Sequence, residues 1–422
     1  MNSKRRWTWI QAIGFALAWT VLSTGCQPDT PSPTVPVTPP PADEPVETPA
    51  EEPAEMPAEE PGEMPAEEPV EMPAEEPAEE PAEEPAEEPA EEPAEEAAEA
   101  PAEEATEELV AFEVHVPLGL PPLPIPEDNP MTAEKVELGK MLYFDTRLSK
   151  DGTLSCATCH DPQMAWAEDT PTSSGIEGQL GDMNSPTVIN SAYATSQFWD
   201  GRAATLEEQA LGPIENPVEM GHDLEAMIGQ LNELDGYREH FQKVFGTDVT
   251  RDGIAKAIAA FERTVLSGNS PYDKYMAGDE DALTDAQKRG MELFNTVGCA
   301  DCHTPPLFSS YDFYNAGIGM DKDPPDQGRM AVTGDEADLG AFRVPPLREV
   351  ANTAPYFHDG SVATLEEAVA LMAGGGIDNP NLSILLKLVG EADLTEENQA
   401  DLVEFLKALS GEFPIVEPPE LP

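Results

Sequence analysis

"CATCH" at residues 156–160 and "CADCH" at residues 299–303 are two copies of one five-residue pattern in a chain of 422 residues. In each copy two thiols stand at i and i+3 with a histidine directly after them. That spacing lets both sulfurs join the vinyl groups of a single haem as thioethers, while the histidine turns its imidazole onto the iron. Cys156, Cys159, Cys299 and Cys302 are then the covalent attachments, and His160 and His303 the axial ligands. Two other readings compete. A zinc site built from both pairs would not require a histidine after each, and a thioredoxin-like redox motif would need a βαβ context that the flanking sequence does not offer. Two covalently held haems point to electron transfer.

The fifth and last cysteine, Cys26, follows Lys4, Arg5, Arg6 and an apolar stretch from Trp7 to Leu22. Residues 1–26 read as an export signal. The ending "STGC" resembles a bacterial lipobox, in which the cysteine is acylated, although Ser23 stands where Leu, Val or Ile is usual. An ordinary cleaved signal with an incidental cysteine is the competing reading. Gln27, with no Asp in that place, points to the outer membrane and a periplasmic protein.

Residues 27–108 hold 30 Asp and Glu and no Lys or Arg, mostly in a repeated PAEE tetrad. With little to bury, one sign of charge and frequent proline, this segment is expected to be a disordered, extended tether. At about 3.1 Å per residue it could reach roughly 250 Å. Residues 109–422 remain acidic, near −34, which makes nucleic acid an unsuitable partner.

Beyond the tether the pattern is helical, and an all-α fold of two cytochrome c-like haem domains in tandem is expected, over 109–275 and 276–422. "TAEKVELGKMLYF" precedes the first CxxCH and "TDAQKRGMELF" the second, each with a threonine at the N-cap and a glycine inside. Ile254, Ile258, Phe261 and Val265 share one helical face, as do Leu402, Phe405, Leu406 and Leu409.

After each CxxCH comes a further repeat, "FWDGRAATLEEQALGP" from Phe198 and "FHDGSVATLEEAVALM" from Phe357. Both contain a T-x-x-E helix start, and the simplest account is duplication of one haem unit. The last positions differ: Pro213 in the first copy, Met372 in the second. Leu365, Ala368, Val369 and Met372 fall on one face, so Met372 is a candidate sixth ligand, with a core methionine as the alternative. Proline cannot ligate iron. The haem at His160 is therefore expected to keep an open face, and the haem at His303 to be closed and of high potential.

These residues resemble the bacterial dihaem cytochrome c peroxidases and their MauG-like relatives. The likeness runs over about residues 118–410, through "GKMLYFDTRLSKDGTLSCATCH", "NSPTVINSAY", "FWDGRA", "EEQALGPIENPVEMG", "FRVPPLREVANTAPYFHDGS" and "ALM". It implies that the first haem is the peroxidatic one, with Gln209, Pro213 and Glu219 at its distal face. Trp199 matches the tryptophan between the haems, and Met372 the sixth ligand of the electron-transfer haem. Asn184, Thr353 and Pro355 match the positions that hold a calcium ion, the last two through backbone carbonyls. Hydrogen peroxide and a small donor protein, a cytochrome c or a cupredoxin, are the implied partners, and a homodimer stays open. Many members carry a histidine soon after the first CxxCH that caps the iron; here none lies between His160 and His222. The MauG-like branch, in turn, has a tyrosine where this chain has Met372.

Three functions follow: peroxide reduction, MauG-like oxidation of a protein side chain, and dihaem electron carriage without catalysis. Met372 favours the first over the second, because a Met-ligated haem suits accepting electrons from a mild donor. Pro213 disfavours the third, which would want both irons six-coordinate.

Overall fold

The computed structural model describes residues 109–422. The signal-like segment, Cys26 and the acidic tether lie outside the described residues. The first half contains α1 (Ala133–Phe144), α2 (Cys156–Cys159), α3 (Leu206–Gln209), α4 (Gly212–Glu215), α5 (Leu224–Asn232), α6 (Asp235–Phe245) and α7 (Arg251–Glu262). After it come α8 (Pro271–Met276), α9 (Asp285–Thr296), α10 (Cys299–Cys302), β1 (Phe313–Asn315), α11 (Met330–Thr333), β2 (Ala341–Arg343), α12 (Leu365–Ala373), α13 (Ile384–Gly390) and α14 (Glu396–Lys407).

The glycines inside the two long leading helices have a steric cause. A Cβ at Gly139 of α1 would run into the carbonyl of Ala257 on α7, and one at Gly290 of α9 would run into the carbonyl of Asp401 on α14. Only a residue without a side chain lets the backbones approach so closely. One turn beyond each crossing sits an aromatic cluster. Tyr143 packs on Phe261 and Trp166 with ring centroids 5.2 and 5.6 Å apart, and Phe294 packs on Phe405 and Phe308 at 5.2 and 5.9 Å. Burial of such a ring contributes about 1.5–3 kcal/mol, so each cluster anchors its own crossing.

Two hydrophobic cores result, one around α1 and α7 and one around α9 and α14. The backbone repeats as well. Trp166 and Phe308 have φ of 58° and 57°, Asn190 and Glu349 have 61° and 64°, and Phe198 and Phe357 have 66° and 70°. Left-handed conformations at aromatic residues are uncommon, so their recurrence at matching places supports duplication independently of the sequence repeat. The two copies meet in a buried polar network: Asn190 Oδ1 accepts from the Ser267 N–H at 3.0 Å, and the Ser267 hydroxyl donates to Glu349.

Helix starts follow the sequence closely. Thr132, Thr205, Thr284 and Thr364 cap α1, α3, α9 and α12. The box at Thr205 is one-sided, because Glu208 Oε2 accepts from Ala204 rather than from the cap itself. A short antiparallel ribbon departs from the all-α expectation, with Phe313 opposite Arg343 and Asn315 opposite Ala341. Strands of three residues are too short for alternation to reveal them.

Candidate haem cavities

Two cavities occupy the places that the CxxCH motifs define. The larger, about 430 Å³, is lined by Cys156, Cys159 and His160; the smaller, about 250 Å³, by Cys299, Cys302 and His303. The cysteine pairs thus face different cavities, and they cannot jointly enclose one zinc ion. Burial pushes the Cys156 thiol up to about 12 and the other three to about 11.

Each attachment motif is a single helical turn held by its ends. Ser155 and Thr158 form a capping box around α2. In α10 the N-cap is Gly298 at φ 102°, a conformation natural only to glycine. The histidine C-caps both turns: the N–H of His160 bonds Cys156 O at 3.0 Å, and that of His303 bonds Cys299 O at 2.9 Å. Nδ1 of His303 lies 3.0 Å from the Phe308 carbonyl, which fixes Nδ1 as the protonated nitrogen and leaves the Nε2 lone pair for a metal. Burial lowers the pKa of both imidazoles, so both rings are held neutral as ligation demands.

The lining fits a haem in further respects. Of the smaller cavity's walls, Leu365, Ala368, Val369, Leu402 and Leu406 are apolar. Arg343 lines both cavities and Tyr311 the larger; Arg343 Nη1 and the Tyr311 hydroxyl are buried without partners, as donors awaiting acidic substituents would be.

The residues singled out in the sequence divide between the cavities as follows. Met372 lies on α12 in the wall of the smaller cavity with His303. Gln209, Pro213 and Glu219 line the larger one with His160. Pro213 is the second residue of α4: α3 ends at Gln209, the helix breaks at Ala210 and Leu211, and the proline occupies the first turn of the next piece. Asn216 Nδ2 donates to Glu219 Oε1 at 2.7 Å. Burial raises the Glu219 pKa above its ordinary value, with Asn216 and Arg202 opposing. Trp199 lines both cavities. Its carbonyl accepts from the Arg343 N–H at 2.8 Å, tying the first copy's loop to β2 of the second.

Asn184, Thr353 and Pro355 all line the larger cavity. His222 is engaged elsewhere, with Nδ1 3.0 Å from Asp223 O and Nε2 3.3 Å from Gln230 Oε1. Of the two methionines between His160 and His222, Met183 lines the larger cavity and Met164 does not. Glu262 was not legible as a site residue, being one acid of 83. It lines the larger cavity too.

Comparison with known proteins agrees. The family described as di-haem cytochrome c peroxidase matches residues 133–281. The cytochrome c551 peroxidase of Nitrosomonas europaea is 42% identical over 302 residues, which is 71% of this chain and 86% of the relative. The methylamine utilization protein MauG of Methylophilus methylotrophus is 36% identical over 306 residues, 71% of this chain and 89% of the relative. A crystal structure of a MauG-like protein associated with microbial copper homeostasis aligns with a TM-score of 0.65 and 35% identity, covering 72% of this chain and 96% of that one. A family-wide complement of two haems matches the two CxxCH cavities, and on these grounds the chain belongs to the di-haem cytochrome c peroxidase and MauG family.

Proposed function

We propose that the protein reduces hydrogen peroxide to water, drawing electrons from a small redox protein such as a cytochrome c or a cupredoxin. One observation carries this reading. Met372 stands in the wall of the His303 cavity, while the matching place in the His160 cavity is Pro213, beside Gln209 and Glu219. The His303 site is thereby suited to storing and passing electrons, and the His160 site keeps room for a small oxidant.

When bound, the haems supply the electrons and the iron centre at which the O–O bond is split. The chain's own groups move the protons. Reduction of one peroxide consumes two electrons and two protons and yields two waters. Glu219 takes the proton from one peroxide oxygen and delivers it to the departing one, and Asn216 fixes the carboxyl for both transfers. Gln209 hydrogen-bonds the peroxide and orients it. Pro213 excludes a competing ligand. Trp199, in the wall of both cavities, lies on the electron's route between them.

Several finer features belong to the same reading. The two haem domains span 109–275 and 276–422. Asn184, Thr353 and Pro355 hold one calcium ion, whose oxygen ligands would pin segments from both copies together. Cys26 carries lipid that anchors the protein to the outer membrane, and the tether leaves the haem domains free to meet their donor in the periplasm. Cys26→Ser should release the protein to the soluble fraction.

Rapid mixing of the fully oxidised holoprotein with hydrogen peroxide tests the central claim. With an open face the haem held by His160 should be high-spin and the Met372-ligated haem low-spin, and the expected result is a spectral change at the high-spin haem within the mixing phase, followed by turnover once a reduced donor cytochrome is added. Absence of any reaction with peroxide in both the oxidised and the half-reduced protein would overturn it. Oxidation of a partner protein's side chain without donor turnover would favour the MauG-like chemistry instead.

A further inference from the structure

Glu262 closes α7 and is only 6% exposed, yet it lines the larger cavity, and its Oε2 has no hydrogen-bond partner. The neighbouring cation does not neutralise it. Arg263 commits Nη1 and Nη2 to Glu207, at 2.7 and 3.1 Å. The other titratable groups that face Glu262 are Tyr143 on α1, Cys156 on α2 and Glu207 on α3, and none of them brings positive charge. A buried, unpaired carboxylate is costly, and burial accordingly pushes this carboxyl up to about 8, with Arg263 lowering it and Glu207 adding to the rise.

The fold does not require an acid here. The α1–α7 crossing at Gly139 corresponds to the α9–α14 crossing at Gly290, and Phe261 corresponds to Phe405, since a Cβ on either glycine would meet the β-carbon of its phenylalanine. The next residue is Glu262 in one copy and Leu406 in the other. Leu406 is 7% exposed and lines the smaller cavity as plain apolar wall. One position of a duplicated architecture thus presents a leucine to the cavity that Met372 lines and a carboxyl to the cavity that holds Pro213.

We propose that Glu262 is a redox-linked proton site: an electron entering the haem held by His160 draws one proton from solvent onto Glu262, and an electron leaving releases it. The proposal rests on the functional reading above in taking that haem as the one that meets peroxide. One electron from the donor protein reduces the ferric iron to ferrous, and one proton converts the Glu262 carboxylate to the acid, so the charge of the site is conserved. The physical cause is local. Ferric haem carries positive charge that stabilises a nearby carboxylate where little water screens it; reduction removes that charge and strengthens proton binding. A proton taken up with each electron is then stored in the wall of the same cavity in which peroxide reduction would consume it.

Spectroelectrochemical titration of the holoprotein, following high-spin and low-spin bands separately on both sides of pH 8, tests this. In the wild type the potential of the high-spin haem should fall as pH rises, approaching about 59 mV per unit, the value of a tenfold change for one electron. In Glu262→Gln and Glu262→Leu that potential should be flat over the same range, while Glu219→Gln keeps the slope. Redox-difference infrared spectra give a second readout: a protonated-carboxyl band that appears on reduction and is missing in Glu262→Gln. A flat wild-type potential, or a slope that survives in both Glu262 variants, would overturn the proposal. A slope lost in those variants but belonging to the low-spin haem would instead overturn the assignment of the open face to His160.

Discussion

The indole N–H of Trp199 donates to the backbone carbonyl of Asn184 across 2.8 Å. That bond fixes the ring lining both cavities to a segment that itself reaches the second copy, since the Asn184 N–H bonds the His358 carbonyl at 2.7 Å. Trp199→Phe keeps an aromatic ring but leaves the carbonyl unpaired, at a cost of about 1–3 kcal/mol in stability. If the indole also carries the electron, transfer between the haems slows by about tenfold or more, equivalent to at least ~1.4 kcal/mol of barrier. Flash or rapid-mixing kinetics on half-reduced protein read this directly; an unchanged rate would leave Trp199 as packing alone.

Glu219 gives a prediction in pH. If Glu219 takes peroxide's proton it must be ionised to do so, and its burial places its pKa above the ordinary carboxylate value of 4.5. Peroxidase turnover should therefore rise with pH through an acid limb above that value. Glu219→Gln should lose the limb and about a hundredfold or more of the rate, with both haems retained. Persistence of the limb in the variant would assign it to another group.

Met372→Ala should convert the low-spin haem of the oxidised protein to high spin without moving the signal of its neighbour, as read by electron paramagnetic resonance. Met372 is half-buried, so if it only packs, which is the lesser reading of this residue, its truncation should cost less than the about 2–5 kcal/mol of a fully buried methionine. Thermal melts separate the two: a melt shifted downward with unchanged spin states would return Met372 to the core.

Much of this was legible because a covalent haem leaves an unambiguous mark. Cys156, Cys159, His160 and their second-copy counterparts announce themselves at fixed spacing, and Gly139 and Gly290 mark helix crossings inside otherwise ordinary helices. Pro213 and Met372 emerged from a repeat rather than from any motif. The β1–β2 ribbon escaped because three residues carry no readable period. Glu262 escaped for a different reason: nothing in "AAFERTV" separates a buried acid from a solvated one, and only the packing of α7 against α1 and α3 turns it inward. Its signal was nevertheless present as the mismatch with Leu406, visible once Phe261 and Phe405 are superposed.

The same carboxyl sets a stability trend. Glu262 has a folded pKa raised to about 8 from an ordinary 4.5, so in both states it is protonated below 4.5 and imposes no penalty there. As pH climbs from 4.5 towards 8 the unfolded chain ionises while the native protein retains its proton, and folding stability falls across that window. Above it both states are ionised and the loss is constant. Glu262→Gln removes the titration, so its melting temperature should match wild type at the acid end and exceed it increasingly up to pH 8, with a gap on the order of a few kcal/mol. Because ferric haem would stabilise the carboxylate, the gap should be wider in dithionite-reduced than in oxidised protein. Equal gaps in the two redox states would mean that Glu262 feels burial but not the haem, whereas no gap at any pH would mean that Glu262 is solvated in the native state.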